Sequence, residues 1–127
     1  LAEPGAESVG ESRGRYLFWS QHLPKPVLQV EVYDDQGNLA GISDFGWPDH
    51  GVLGEFDGRI KYGRLLRPGE SMSDAIYREK LREDLMREIT GFTMVRFIWR
   101  DLDRPATTAG RVRRLLRGGR RIHGLTA

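Results

Sequence analysis

Three short runs with strand character follow one another from Val27 to Asp57, joined only by turn chemistry. Val27-Leu28-Gln29-Val30-Glu31-Val32-Tyr33 alternates, which predicts a strand with Leu28, Val30 and Val32 on one face. Asp34-Asp35-Gln36-Gly37-Asn38 is rich in turn formers. Leu39 to Trp47 reads as a second strand, Pro48-Asp49-His50-Gly51 as a second turn, and Val52 to Asp57 as a third strand. Connections this short leave only antiparallel neighbours, so the centre of the chain must be a meander.

Helical signals flank it. Ser8-x-x-Glu11 has the form of a capping box, and a first helix is expected from about Glu7 to Gln21. Leu23-Pro24-Lys25-Pro26 stops it, because the residue before each proline is pushed out of helical conformation. A second helix is predicted from about Ser73 to Ile89, with Tyr77, Leu81, Leu85 and Ile89 as its apolar stripe and Gly91 as its C-cap. Phe92 to Trp99 reads as a fourth strand, and Pro105 to Leu116 as a last helix that Gly118-Gly119 ends. The expected fold is α/β, in the order α-β-β-β-α-β-α. Residues 1–117 form the domain and 118–127 a flexible basic tail.

Charge divides the same way. Residues 1–103 hold 13 Lys and Arg against 18 Asp and Glu, a net of −5, whereas 104–127 hold seven Arg and no acid. A basic segment without counter-acids favours a polyanion partner. The absence of Cys excludes a disulfide framework, a thiolate zinc site and a Cys nucleophile. No apolar run approaches the roughly 20 residues that span a bilayer, so no membrane partner is expected. The chain opens on Leu1 without a secretory signal pattern, which predicts a cytoplasmic protein with an upstream part preceding it.

Acids inside strands are unusual, and three occur here: Asp44 in the second run, Glu55 and Asp57 in the third. Glu55 and Asp57 share a face. A two-residue hairpin at Asp49-His50 places Asp44 opposite Glu55, with Cβ atoms about 4.5–5.5 Å apart. Two carboxylates that close need a positive charge between them. One solution is Mg2+ or Mn2+, hard cations that take oxygen ligands. The other is an ion-paired sheet face in which Arg78, Lys80, Arg82 or Arg87 of the second helix meets the acids. His50, at a hairpin tip, reads as a turn residue rather than a general base.

The stretch Asp44-Phe45-Gly46-Trp47-Pro48, then Gly54-Glu55-Phe56-Asp57-Gly58-Arg59-Ile60-Lys61-Tyr62, resembles the core of the Vsr-like branch of the PD-(D/E)XK nucleases. Arg82-Glu83-Asp84 and Arg96-Phe97-Ile98-Trp99 resemble the helix and strand that follow in that branch, and the segment 7–12 resembles its first helix. The likeness covers about residues 7–117. It is nearest to a version found as the C-terminal domain of actinobacterial proteins with an AbiEi-antitoxin-like, winged-helix N-terminus. It implies a restriction endonuclease-like core and a metal-dependent endonuclease acting on DNA. Asp44, Glu55 and Asp57 would then be the metal and catalytic positions, with Glu11 as the first-helix acid that completes the site. Glu11 reads equally as the partner of Ser8 in a capping box.

Asp57 stands where the nucleases carry a Lys, and Lys61, Lys80 or Arg82 is the candidate cation in its place. Arg59, Lys61, Arg64, Arg111, Arg113, Arg114, Arg117, Arg120 and Arg121 are the candidate DNA contacts. The departure at Asp57 also leaves room for an alternative, a catalytically inactive nuclease-fold module that binds DNA or protein as part of an antitoxin-like regulator.

Overall fold

Glycines set how closely the first helix can lie on the sheet. In the computed structural model, which describes residues 4–58 and 67–122 and side chains within 8–58 and 67–119, helix α1 runs Pro4–Ser20. Gly10 and Gly14 are one turn apart on it, and a Cβ at either would press into the Phe56 or Phe45 ring. The missing side chains form a groove that seats those two rings. Pro4 at the first helical position suits a residue without an N–H. Starting there puts Ser8 inside the helix, so the capping box expected at Ser8-x-x-Glu11 does not form.

The strands are β1 (Val27–Tyr33), β2 (Leu39–Trp47), β3 (Val52–Phe56) and β4 (Thr93–Phe97), in one sheet of order β1-β2-β3-β4. The first two pairings are antiparallel and β3–β4 is parallel. Helix α2 (Met72–Thr90) lies in the crossover between β3 and β4, a short α3 (Trp99–Leu102) follows β4, and α4 (Pro105–Ile122) closes the chain. The chain is therefore an α/β domain with a four-stranded mixed sheet flanked by helices. Among the described residues no helix is long and apolar enough to cross a membrane.

One sheet face carries most of the apolar core. Leu17 and Phe18 of α1, Phe45 and Trp47, Val52 and Phe56, Val95 and Phe97, and Ala109, Val112 and Leu116 of α4 pack there. Phe18 is the hub, with its ring edge-on to both Phe45 and Trp47 at 5.1 Å. Truncating a buried Phe of this kind costs about 3–5 kcal/mol.

The opposite face has a much smaller buried cluster of Val32, Leu53 and Met86. Helix α2 covers it with Ala75, Glu79, Glu83 and Met86 inward. Of the stripe expected to face the core, Ile89 packs against this cluster, but the rest points outward, with Tyr77 63% exposed and Leu81 and Leu85 also exposed. Charged residues on the sheet beneath outweigh the helix's own apolar pattern.

Two further differences have local causes. The hairpin between β2 and β3 keeps the expected register, Phe45–Gly54 to Trp47–Val52, but turns through a 3-10 segment at Pro48–His50 closed by Gly51 in the left-handed region. Helix α4 does not stop at Gly118-Gly119 but runs on to Ile122. Gly119 is buried against the carbonyl of His50, where any Cβ would collide. It is there for close approach rather than as a stop.

Candidate functional site

In β1, Gln29 adopts a left-handed backbone, φ 52°, rare for a residue with a side chain. The ladder pairs Leu28 with Phe45 and Val30 with Ser43, so Gln29 lies opposite Asp44 at the one unpaired step between them. The inversion breaks the expected face of Leu28, Val30 and Val32. Leu28 turns towards α1, while Val30 and Val32 pack with Met86 beneath α2.

At the same point β2 and β3 part. The hydroxyl of Ser43 lies 2.8 Å from the carbonyl oxygens of both Phe45 and Gly54. The Asp44 carboxylate accepts the Phe56 N–H at 2.9 Å. These two side chains thus bond backbone groups of β2 and β3 where the ladder between the strands ends.

The result is a cleft of about 250 Å³ between α1 and the kinked strands. Ser8, Glu11, Ser12 and Arg15 line it from α1, positions that share a helix face. Gln29 and Asp44 face them from the sheet. Seating Phe45 and Phe56 on Gly10 and Gly14 is what brings this face of α1 down onto Asp44. Two carboxylates, a carboxamide oxygen and hydroxyls are the oxygen donors that Mg2+ or Mn2+ prefers, so the residues present fit such an ion.

Glu55 and Asp57 lie on the other face, under α2. One Arg82 nitrogen, Nη2, donates to both oxygens of Glu55 at 2.9 and 3.0 Å, and Arg82 Nε donates to Glu79 at 3.2 Å. Arg96 donates to Asp57 at 3.1 Å and also pairs with Glu83. Glu55 is only 2% exposed and Asp57 7%. Burial alone would lower the pKa of Arg82. The charge of Glu55, its hydrogen bonds and the added charge of Glu79 more than offset this and raise it above its ordinary value. This is the ion-paired sheet face weighed from the sequence, with Arg82 as the helix cation and Arg96 as an unexpected second.

Among the described residues no three His, Asp or Glu side chains are gathered as metal ligands would be. The structure distributes the candidates between two places. Asp44 is in the cleft with Glu11, and Glu55 and Asp57 are in the ionic layer with Arg82.

The arginines of α4 also divide. Arg111 donates to the Arg96 carbonyl at 2.8 Å and stands over the Phe97 ring, and Arg113 donates to the Gln21 carbonyl at 2.6 Å. Both tie α4 to its neighbours. Arg114 and Arg117 are exposed, as a DNA contact requires. The side chains of Arg120 and Arg121 lie outside the described residues, as do Arg59, Lys61 and Arg64. His50 sits in the 3-10 turn against α4, at the far end of the hairpin from Asp44.

Gln29 and Arg15 are not among the site residues that the sequence analysis predicts. Arg15 follows Ser8 and Glu11 at helical spacing, a signal that was available. The backbone inversion at Gln29 left no residue-type signature. Comparison with protein-family models, with characterised proteins and with solved structures finds no match to this chain.

Proposed function

We propose that this domain is a restriction endonuclease-like module that hydrolyses DNA phosphodiester bonds with Mg2+ or Mn2+ at the cleft between α1 and β2. The observation that carries the proposal is that Glu11 and Asp44, the first-helix acid and the strand acid implied by the resemblance, line one cleft. Glu11 and Asp44 would hold the ion, with the Gln29 carboxamide oxygen beside them. A divalent ion there neutralises charge developing on the phosphate and lowers the pKa of bound water. Arg15, at the mouth of the same cleft, would fix a phosphate oxygen through its planar guanidinium. Glu55 supports the site indirectly, since its pairing with Arg82 holds β3 and hence the Phe56 N–H that orients Asp44. The exposed arginines of α4 supply sequence-independent attraction for the DNA backbone. A cytoplasmic location belongs to the same reading.

The ion pairs of Glu55 and Asp57 favour a second reading. Both carboxylates are compensated by arginines of the chain itself, as in a nuclease fold that has kept DNA binding and lost cleavage.

Incubating the full chain with duplex, mismatched, flapped and single-stranded DNA in Mg2+, Mn2+ or EDTA separates the two. Metal-dependent cleavage that Asp44→Asn and Glu11→Gln each reduce by about 100-fold or more supports the nuclease. Salt-dependent binding with no cleavage of any substrate supports the binding module. Cleavage unaffected by either substitution overturns the cleft assignment.

A further inference from the structure

A second and larger cavity, about 750 Å³, adjoins the cleft along α1. Its volume is within the roughly 300–1,000 Å³ of ordinary ligand sites. Ser12, Arg15 and Leu28 line both cavities, so the two are neighbours along α1. Tyr16 and Trp19 stand in the larger one, 66% and 73% exposed, with ring centroids 5.8 Å apart. Arg15 and Lys25 add fixed positive charge, and among the described residues no Asp or Glu lines the cavity.

The walls are held from behind. Leu23 is buried and its N–H donates to the Phe18 carbonyl at 2.9 Å. Trp47 Nε1 donates to the Pro24 carbonyl at 2.8 Å, and Arg113 secures the Gln21 carbonyl. His22, at φ 61°, makes the sharp exit from α1 that curls this segment around the aromatic pair.

We infer that the Tyr16–Trp19 cavity binds unpaired nucleotides of a single-stranded segment of DNA, stacking bases on the two rings and holding phosphates at Arg15 and Lys25. The inference rests on the nuclease reading for its neighbour, and it names the form of substrate that the cleft receives. The exposed rings select the occupant. Base faces inside a duplex are covered by their neighbours, and only an unpaired base can offer its face to an aromatic side chain for stacking. The wall that carries Arg15 and Lys25 suits a phosphate backbone, and Arg15, shared with the neighbouring cleft, leads that backbone towards Glu11 and Asp44.

The test is binding of a fluorescently labelled ten-nucleotide oligo-dT and of a matched duplex, in EDTA, with the full chain. The single strand is expected to bind more tightly and to quench tryptophan emission. Trp19→Ala should weaken it by about 5- to 150-fold, as loss of one stacking platform does, and Tyr16→Ala should act in the same direction. Tyr77→Ala, an exposed aromatic on α2, should bind as the parent does. Tyr16 and Trp19 are exposed, so unchanged circular dichroism and melting are expected to accompany the loss.

Equal affinity in all variants overturns the inference, as does preference for the duplex, or displacement of the oligonucleotide by a proline-rich peptide through the same two rings. Because the assay contains no metal, its failure is separable from failure of the nuclease reading. Cleavage without ring-dependent binding removes only the cavity's role, and ring-dependent binding without cleavage removes only the catalysis.

Discussion

One nitrogen of Arg82 holds both carboxylate oxygens of Glu55, at 2.9 and 3.0 Å, across the boundary between α2 and β3. Glu55 is buried, so removing Arg82 takes a close positive charge and two short hydrogen bonds from a carboxylate that is largely shut off from water. Breaking a buried pair costs about 3–5 kcal/mol, and the residual exposure of Arg82 places Arg82→Ala nearer about 2–4 kcal/mol. Arg82→Met combined with Glu55→Gln should recover much of that loss. Urea unfolding of the three proteins decides it, and a single variant within 0.5 kcal/mol of the parent (about the scatter of a neutral surface change) contradicts the account.

Asp44 has a structural task that can be separated from any catalytic one. Asp44→Ala leaves the Phe56 N–H without its acceptor, at a cost of about 1–3 kcal/mol. Asp44→Asn keeps an oxygen there and should cost clearly less, while both remove the charge that a metal ion needs. Thermal melts ranking Ala below Asn, together with calorimetry in which neither variant binds Mn2+, are the expected pair of results.

Adjacent glycines in α4 should respond with opposite signs. Gly118 has open space at its Cβ position, so Gly118→Ala should gain about 0.5–1 kcal/mol from helix propensity. Gly119→Ala drives a methyl into the His50 carbonyl and should lose about 1–3 kcal/mol. Equal effects in denaturant melts would mean that α4 does not press on the 3-10 turn.

The Glu70 carboxyl is held low, to about 2 from 4.5, first by its hydrogen bonds from Arg78 and then by the Arg67 N–H. A depressed folded-state value means that the stabilisation is full above the unfolded value near 4.5. It is lost as pH falls from there through about 2. Carbon-detected NMR titration should find the low midpoint in the parent and its return towards 4.5 in Arg78→Ala.

The strands were legible because their information is local. Alternation and turn residues delimit β1 and β2, and the hairpin arithmetic that pairs Phe45 with Gly54 needs nothing distant. The face of α2 was not legible from α2. An apolar stripe at Tyr77, Leu81 and Leu85 ordinarily marks the inside, but Glu55, Asp57 and Arg96 beneath the helix demand Arg82, Glu79 and Glu83 opposite them. Gly118-Gly119 misleads in a similar way, since local propensity reads a stop where packing needs a gap. Of the cleft, Glu11 and Asp44 were legible as acids in unusual places. Gln29 was not, because an inverted φ is imposed by its surroundings and leaves no mark on residue type.

That inversion has a consequence for how copies of the chain meet one another. β1 is an outer strand, and Val27, Leu28 and Tyr33 are exposed along it. A straight strand of this composition would present an unbroken row of N–H and C=O groups on which another molecule's strand could pair. The turned-over peptide at Gln29 interrupts that row. The kink that opens the cleft to a ligand thus also shields the sheet's open border against fibril-like growth.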